Sequence, residues 1–371
     1  MNNKTLNIIC FSPFSGRFTG LSYSVPAMIE VLYRHSEVNL LFVNSSNNLS
    51  LNNKVPTLKK SDLVNSVTKF PKGFNKPDLL LFQSTYLPIH FKYANEAIKK
   101  NIPYVITPRG GMTEGAQKQK PLKKKIGNFA FFNKMVKNAS AIHCLNAAEA
   151  KDVAKWTDCH FVVGNGVNLP SQVLINNTEV ARFNITFIGR LDLNHKGLDL
   201  LISSCAHARE YLKNRGAVIN LYGPSINNSK SILKNMVNDF GLKEIVNIHG
   251  PVYKEEKEKV LRQTNVFLHT SRFEGHPMAV LEAMSYGVPC LVTPGTNISE
   301  EVQNTNSGWS TSSSPNQIGE KLIEITKSSS KQIIEKGFNA RRLIEEKYTW
   351  DIIGKELLKE YKKILNREGF N

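Results

Sequence analysis

The sequence lacks any apolar run that could cross a membrane. Its longest uninterrupted apolar stretches, such as Leu79–Phe82, extend over only a few residues, whereas a membrane-spanning helix needs about 20. The N-terminal stretch turns polar again at Ser12, which favours a first β-strand over a signal peptide. The hydrophobic content of 41% and the charged content of 21% are typical of a soluble globular protein.

Cysteine is sparse and has no pairing pattern. The sequence contains no Cys-x-x-Cys motif, and its five cysteines are scattered: Cys10, Cys144, Cys159, Cys205 and Cys290. An odd number of dispersed cysteines predicts buried thiols in a reducing compartment and argues against a structural zinc site. We therefore expect a cytoplasmic protein.

Several motifs of metal and nucleotide chemistry are also missing. There is no Asp-x-Asp that would indicate a metal bridging a diphosphate, and no Gly-x4-Gly-Lys-Ser/Thr, Gly-x-Gly-x-x-Gly or Gly-x-Ser-x-Gly. Any bound phosphate would have to be stabilised by basic side chains and helix N-termini. We expect neither a metal nor a cofactor.

Acidic residues are scarce relative to basic ones. The chain has 48 Lys+Arg against 31 Asp+Glu, a formal net charge of +17. This charge predicts an anionic partner, which is a nucleic acid, a phosphate-bearing ligand or an acidic membrane surface.

One segment, residues 118–137, concentrates lysine and lies in a stretch without Asp or Glu, Gly115–Ala148. Its apolar residues fall mainly on one helical face, with Phe132 beside that face and Phe131 and Met135 roughly opposite. Two interpretations remain: a domain helix with a solvated lysine face, or an interfacial helix that docks on anionic lipid. The residues of the main face are Leu122, Ile126, Phe129, Ala130 and Val136.

Short β-rich apolar runs alternate with helical patterns along the chain, which predicts parallel sheets covered on both faces. The predicted strands are Leu6–Phe11, Val38–Val43, Asp78–Gln83, Tyr104–Thr107, Ser140–Leu145, His160–Val163, Asn184–Gly189, Val218–Tyr222, Val246–His249, Val266–Thr270 and Pro289–Thr293. These are too many for one ordinary open sheet. We predict an α/β protein with two Rossmann-like, doubly wound domains, residues 1–168 and 183–349, followed by a final helix.

Glycine and polar residues follow many of the predicted strands, at the sheet edge where ligands bind in open parallel sheets. We expect the two domains to face each other across a cleft through these edges. The segments concerned are Ser12–Gly20, Thr107–Gly111, Gly189–Lys196, Tyr222–Pro224 and Thr270–Gly275.

Two of these loops have the chemistry of a diphosphate site. Arg190 and Lys196 supply two positive charges at one loop-to-helix junction. Pro277 fits the first position of a helix, which would leave the N–H groups of its first turn free to bind an anion. Gly275 would let a ligand approach the backbone.

Glu282 lies within this predicted helix, Met278–Tyr286, which is mostly apolar. None of its near neighbours on the helical wheel carries a positive charge. An ionised carboxylate without a partner in such a place costs several kcal/mol, by order of magnitude. A pair of hydroxyls would provide that partner, so we hypothesise that Glu282 binds the ribose of a nucleotide.

These residues also carry a family resemblance. GRLDLNHKGLDLL (Gly189–Leu201) and EGHPMAVLEAMSYGVPCLVT (Glu274–Thr293) resemble the family 4 (group 1) retaining glycosyltransferases of the GT-B fold, and the family's Glu-x7-Glu pair falls on Glu274 and Glu282. Weaker similarity covers Ala141–Val153 and Val162–Asn168. The terminal helix, residues 350–371, resembles the family's closing helix, which packs back on the first domain.

The resemblance implies a role for each matching residue. Arg190 and Lys196 match the basic pair on the donor pyrophosphate, Glu282 matches the carboxylate on the ribose, and Glu274 matches the carboxylate on the transferred sugar. The turn whose backbone meets sugar and phosphate comprises Gly275, His276, Pro277 and Met278.

The chain departs from the family pattern at three places. Gly20 matches a glycine loop near the diphosphate, but the usual double glycine reads Thr19-Gly20. Arg109-Gly110 replaces the His-Asp of many members, which makes Arg109 a candidate contact for phosphate or acceptor. His276-Pro277 stands where many relatives have Phe-Gly, so His276 is a candidate determinant of sugar choice.

The resemblance implies an enzyme of the hexosyltransferase class, EC 2.4, with retention of anomeric configuration. We expect it to move a hexose from a UDP- or GDP-sugar to a glycan acceptor, lipid-linked, in the synthesis of a bacterial surface polysaccharide. Segment 118–137 would then make the peripheral contact with the inner face of the cytoplasmic membrane. The alternatives are an epimerase or phosphorylase of the same architecture and, on charge alone, a nucleic-acid-binding protein, although no nucleic-acid-binding motif is present.

Overall fold

The computed structural model describes residues 5–14, 20–46, 51, 54–118, 127–170 and 182–367. The chain divides into two compact units. Unit 1 contains the residues up to Gly166 together with the helix that begins at Trp350, and unit 2 is Val167–Thr349.

Unit 1 is built on a parallel sheet. Its described strands are β1 (Leu6–Ser12), β2 (Val38–Asn44), β3 (Thr57–Leu58), β4 (Leu79–Gln83), β5 (Tyr104–Thr107), β6 (Ala141–Cys144) and β7 (His160–Val162), in the spatial order β3-β2-β1-β4-β5-β6-β7. Because strands covered on both faces bury every side chain, Ile8–Phe11 are all fully buried.

The helices of unit 1 cover both faces of this sheet. They are α1 (Gly20–Tyr33), α2 (Pro88–Lys100), α3 (Glu114–Lys118), a π-helical turn at Asn128–Phe132, α4 (Asn133–Lys137) and α5 (Ala147–Val153). Short 3-10 turns lie at Lys60–Asp62 and Val67–Lys69.

Unit 2 contains a second parallel sheet. Its strands are β8 (Phe183–Ile188), β9 (Ala217–Tyr222), β10 (Val246–Ile248), β11 (Val266–His269), β12 (Cys290–Val292) and β13 (Gly308–Ser310), in the order β10-β9-β8-β11-β12-β13. Strand order reverses between β8 and β11, and ligands of doubly wound sheets bind beyond the carboxyl ends of the strands at such a point.

The helices of unit 2 are α6 (Leu198–His207), α7 (Arg209–Arg215), α8 (Ser229–Asp239), α9 (Lys254–Arg262), α10 (Met278–Ser285), α11 (Ser299–Asn304), α12 (Pro315–Lys327) and α13 (Ser330–Lys347), with a 3-10 turn at Pro294–Thr296. The final helix, α14 (Trp350–Arg367), belongs to unit 1. Its buried side chains, among them Trp350, Leu357 and Tyr361, join the core formed by β1, β2 and α1.

The eleven predicted strands are confirmed, each within one residue at either end. The structure adds β3, which has two residues, and β13, whose sequence Gly-Trp-Ser lacks the apolar β-branched run typical of a buried strand. No helix of the described ranges is long and apolar enough to span a lipid bilayer.

Two predictions about individual residues are wrong. Cys159 is exposed, although the other four cysteines are buried. In the basic segment, Met135 does not lie opposite the apolar face as predicted but is buried with Phe132 and Val136 in the core of unit 1. The helical wheel fails here because Asn128–Phe132, just before α4, form a π-helical turn and not a regular α-helix. Phe131 is 56% exposed, and residues 119–126 lie outside the described part of the chain.

Candidate functional site

The site lies in unit 2, where two loops follow β8 and β11 at the point of strand reversal. The first loop carries Arg190 and Lys196, and it ends at Gly197 with φ of +61°. A Cβ at Gly197 would lie 2.2 Å from the carbonyl oxygen of Thr270. The Thr270 hydroxyl donates to the carbonyls of Lys196 and Gly197 at 3.2 and 3.1 Å. Only glycine permits this close contact between the two loops.

Arg272 joins the loops a second time. Its guanidinium donates to both carboxylate oxygens of Asp199, at 2.8 and 2.7 Å, and to the carbonyls of Leu193 and Asn194 at 3.3 and 3.0 Å. The hydrogen bonds that Arg272 donates to Asp199, together with the charge of that carboxylate, raise the pKa of Arg272. This two-pronged geometry orients both partners and is specific to arginine.

Glu274 is the centre of the site. One of its oxygens, Oε1, accepts hydrogen bonds from the ammonium of Lys196, from His269 Nε2 at 2.8 Å and from the Ser271 hydroxyl at 2.8 Å. No other described residue donates to the second oxygen, Oε2. The carboxylate is thus anchored through one oxygen and can offer the other to a ligand.

Burial and hydrogen bonding oppose each other at this carboxylate. Burial alone would raise the pKa of Glu274, but the hydrogen bond from His269 and the charge of Lys196 hold it far below its usual range. Burial also lowers the pKa of His269, although its bond to Glu274 acts in the opposite direction. Glu274 is therefore ionised and His269 neutral near pH 7.

The segment that follows β12 supports the loop from Ser271 to Glu274. The Thr293 hydroxyl donates to the Ser271 carbonyl at 2.8 Å, and the Asn297 amide donates to the Glu274 carbonyl at 2.6 Å. Gly295 lies so close that a Cβ there would be 2.2 Å from the Arg272 carbonyl oxygen. The loop is consequently held on both sides before any ligand is present.

Arg190 differs from Lys196 in its surroundings. Lys196 is only 12% exposed and paired with Glu274, whereas Arg190 is exposed and forms no ion pair with any described residue. The pKa of His195, which lies between them in sequence, is lowered by burial and by the charges of Lys196 and Arg190. The loop thus presents one anchored and one unengaged cation.

Helix α10 begins at Met278, as predicted, but the turn before it differs from the expectation. Pro277 is the N-cap, not the first helical residue, and the N–H groups of Met278, Val280 and Leu281 already bond to His276 and Pro277 carbonyls. The expectation of several free N–H groups is therefore wrong, because the tight turn at His276–Pro277 uses them. Among Met278–Leu281, only the backbone N–H of Ala279 has no acceptor in the described part of the chain.

The turn before α10 leaves space on one side. A Cβ added at Gly275 would meet no atom within 4 Å, so nothing in the described protein requires glycine there. The ring of His276 lies 5.8 Å from that of Tyr348. Pro277 is buried and Met278 half-buried beside it.

Glu282 has a partner that the sequence did not reveal. Its carboxylate pairs with the ammonium of Lys257, which lies on α9; the side chains are 15% and 25% exposed respectively. The expectation of an unpartnered carboxylate is wrong, because the wheel of one helix does not show what a neighbouring helix supplies. The ribose contact therefore no longer follows from a missing partner; it rests on the family resemblance and stays a prediction.

In unit 1, Arg109 turns inward. Its guanidinium donates to Gln83 at 2.9 Å, to Ser24 at 2.9 Å and to Asn165 at 3.3 Å, and burial lowers its pKa to about 10. In this conformation it stabilises the carboxyl edge of the unit 1 sheet, and its contact with phosphate or acceptor stays a prediction. Gly20 begins α1, and residues 15–19 of the loop before it lie outside the described residues.

Sequence reasoning missed most of the residues that hold the site together, namely Asp199, Lys257, His269, Ser271, Arg272 and Asn297. His269 gave one local signal, since it is a lone ionisable residue at the end of an apolar strand. The others are recognisable only through partners far away in sequence.

Residues 175–340 match the family described as Glycosyl transferases group 1. The matched range lies within unit 2. The match covers the loops of Arg190, Lys196 and Glu274 as well as helix α10, so the candidate site lies within the matched range.

Two related proteins of known sequence resemble the chain over less than half of its length. The chain is 25% identical over 169 residues to the putative colanic acid biosynthesis glycosyltransferase WcaL of Escherichia coli, covering 44% of this chain and 41% of WcaL. It is 28% identical over 120 residues to the amylovoran biosynthesis glycosyltransferase AmsK of Erwinia amylovora, covering 31% of this chain and 28% of AmsK. The chain thus spans less than half the length of these relatives.

Solved structures resemble the chain over nearly its full length. Anabaena HepE in complex with UDP aligns with a TM-score of 0.74 at 15% identity, covering 97% of this chain and 100% of HepE. At this identity the likeness concerns the fold alone. It confirms the predicted fold class, α/β with two Rossmann-like domains of GT-B type.

Proposed function

We propose that the protein is a retaining glycosyltransferase that moves a hexose from a UDP- or GDP-sugar to a hydroxyl of a glycan acceptor. The observation that carries the proposal is the convergence of Arg190, Lys196 and Glu274 at the strand reversal of unit 2, within the range that matches group 1. Two cations favour the diphosphate, and the open oxygen of Glu274 favours the hydroxyls of the sugar.

Each residue would act without covalent chemistry of its own. Arg190 and Lys196 would stabilise the negative charge that develops on the departing diphosphate. Glu282 would bind the ribose hydroxyls, and Glu274 would orient the sugar. The acceptor hydroxyl would attack from the side on which the diphosphate leaves, and a departing phosphate oxygen would take its proton.

The proposed reaction needs neither metal nor cofactor, because the basic pair supplies the charge that a metal would otherwise provide. Transfer should continue in excess EDTA. Loss of transfer in EDTA, with recovery on adding Mg²⁺ or Mn²⁺, would contradict this part of the proposal.

The first test is a panel of nucleotide sugars in a thermal-shift assay. A donor present at about 100 times its Kd stabilises the folded protein by about 2.7 kcal/mol, which raises the unfolding temperature measurably. NMR of the transfer product then reports whether the anomeric configuration of the donor is retained. Hydrolysis or isomerisation of the donor that does not depend on an acceptor would favour the epimerase or phosphorylase alternative.

The acceptor is proposed to be lipid-linked, in the synthesis of a bacterial surface polysaccharide at the cytoplasmic face of the membrane. The net charge of +17 supports this proposal, as does the exposed side chain of Phe131 within the lysine-rich segment. The names of WcaL and AmsK, which refer to colanic acid and amylovoran biosynthesis, point in the same direction.

Vesicle flotation tests the membrane contact. A variant with Lys123, Lys124 and Lys125 changed to glutamine should bind anionic phosphatidylglycerol vesicles more weakly than the wild type. The matched control changes three exposed lysines of unit 2, Lys213, Lys243 and Lys331, and should bind like the wild type. Equal loss in both variants would indicate net charge alone and not a docking segment.

A further inference from the structure

The two oxygens of Glu274 have different surroundings. Oε1 accepts from Lys196, His269 and Ser271, while no donor among the described residues reaches Oε2. One of the three donors, His269, is neither part of the predicted donor site nor placed where a ligand could reach it, since its side chain is 2% exposed.

The hydrogen-bonding state of His269 follows from its surroundings. An ionised carboxylate only accepts, so the bond at 2.8 Å requires the proton on Nε2. The ring is neutral because burial disfavours its charged form, and a neutral ring has one proton. Nδ1 is then an unprotonated nitrogen, and it is buried without a hydrogen-bond partner among the described residues.

Aromatic packing holds the ring in this orientation. The ring of Phe187 on β8 stacks on His269 with centroids 5.6 Å apart and planes inclined by 17°. Phe267, two residues earlier on β11, lies at 6.2 Å with planes at 14°. The direction of the Nε2–H bond is therefore set by β8 and β11, the two strands that flank the site.

We propose that His269 is a positioning residue for the carboxylate that binds the transferred sugar. Its neutral Nε2–H holds Glu274 Oε1 against the sheet, so that Oε2 faces the sugar hydroxyls. A neutral donor suits this task because Lys196 already supplies the compensating charge, and a second cation would compete with it. This inference rests on the proposed function of Glu274.

Three substitutions separate positioning from packing. His269→Gln places an amide N–H near the position of Nε2, His269→Asn is too short to reach Glu274, and His269→Leu fills the space without a donor. We expect the glutamine variant to keep transfer activity within a few fold. The asparagine and leucine variants should lose about 10- to 100-fold in kcat, as expected for a lost hydrogen bond to a charged group.

Ligand affinities separate the two roles, because a residue that only packs would not change the contribution of the sugar to binding. The probes are the nucleotide sugar that gives the largest shift for the wild type and its parent nucleoside diphosphate. In His269→Leu, the affinity for the diphosphate should stay within about twofold, because Arg190, Lys196 and Glu282 remain. The gain in affinity contributed by the sugar should fall about tenfold or more.

The outcomes distinguish the two proposals. If no nucleotide sugar binds the wild type, the proposed function fails and His269 has no sugar to position. If the wild type binds and His269→Leu keeps both the sugar's contribution and kcat, His269 is a packing residue and this inference is wrong. Should the variants not fold, ¹⁵N NMR of the wild type decides: a protonated Nε2 and unprotonated Nδ1 at neutral pH support the inference, and the opposite tautomer overturns it.

Discussion

The ammonium of Lys257 on α9 is paired with the carboxylate of Glu282 on α10, so the residue expected to bind ribose is already neutralised by a neighbouring helix. Both side chains are mostly buried, and the pair connects two helices of unit 2. Ribose hydroxyls would then bind a carboxylate that is fixed in place before the nucleotide arrives.

The pair should contribute measurably to the stability of unit 2. In a double-mutant cycle of Lys257→Met and Glu282→Gln, urea unfolding should give a coupling energy of about 1–3 kcal/mol, between the values for exposed and buried pairs. Arg342 and Glu346, at 75% and 56% exposed, form a control pair on α13 that should give at most about 0.5 kcal/mol. Additive effects of the two central substitutions would show that the ion pair contributes nothing.

The Arg272–Asp199 pair should control donor binding through loop geometry. Arg272→Lys keeps the charge but loses the two-pronged bond, and we expect the Kd for the nucleotide sugar to rise about tenfold, the equivalent of about 1.4 kcal/mol. Isothermal titration measures this change. Arg209→Lys, in an exposed pair with Glu210, is the control and should bind like the wild type. A normal Kd for Arg272→Lys would mean that charge alone is sufficient there.

Substitution of two glycines of the site by alanine should affect different properties: donor binding at Gly275 and folding stability at Gly197. Gly275→Ala should leave the free energy of unfolding within about 0.5 kcal/mol of the wild type, since its Cβ meets no atom. It should nevertheless weaken binding of the nucleotide sugar by about tenfold or more, because the new methyl group occupies the space of the ligand. Full donor affinity in Gly275→Ala would place the ligand elsewhere.

Gly197→Ala should instead destabilise unit 2 by about 2 kcal/mol or more, because it combines a positive φ with a clash against the Thr270 carbonyl. Gly216 has a similar φ of +65° but open space around its Cβ. Its alanine variant therefore measures the backbone strain alone, about 1 kcal/mol. Equal effects at the two positions would show that the loops do not meet closely.

Acid should destabilise unit 1 through its buried histidines. Burial lowers the pKa of His90 and of His143 to about 3 each, whereas histidine in an unfolded chain titrates near about 6.5. Between these values the unfolded state binds protons that the folded state does not, so stability falls as pH falls. Each histidine should contribute a slope of about 1.4 kcal/mol per pH unit.

Urea unfolding between pH 4 and 7 measures this slope. His143 donates through Nε2 to the Val163 carbonyl at 2.7 Å, and its Nδ1 lies 3.2 Å from the Thr107 hydroxyl. His143→Gln removes one titrating group and should reduce the slope by about 1.4 kcal/mol per pH unit, as should His90→Gln. An unchanged slope in both variants would contradict this assignment.

The sequence predicted the fold better than the contacts within the site. Strands such as Leu6–Ser12 and Val266–His269 are continuous apolar runs, and a local pattern is sufficient to recognise them. The family motifs predicted that Arg190, Lys196 and Glu274 lie at one edge of the unit 2 sheet. Neither source revealed Lys257, because its pairing with Glu282 depends on how two helices pack.

The inward orientation of Arg109 shows the same limit. A loop arginine after a strand predicts an exposed cation, but Gln83, Ser24 and Asn165 come from three other segments and supply polar partners inside unit 1. Partners this far apart in sequence leave no local pattern. The same holds for Arg272 and Asp199, which are recognisable as a pair only once both loops are in place.

The central claim is that Glu282 binds the nucleotide and Glu274 binds the sugar of a single donor. Isothermal titration of Glu282→Gln and Glu274→Gln with the best donor and its parent nucleoside diphosphate tests it most directly. We predict that Glu282→Gln weakens both ligands by about 10- to 100-fold, whereas Glu274→Gln weakens only the nucleotide sugar. Unchanged binding of both ligands in Glu282→Gln, or an equal loss of both in Glu274→Gln, would contradict the account.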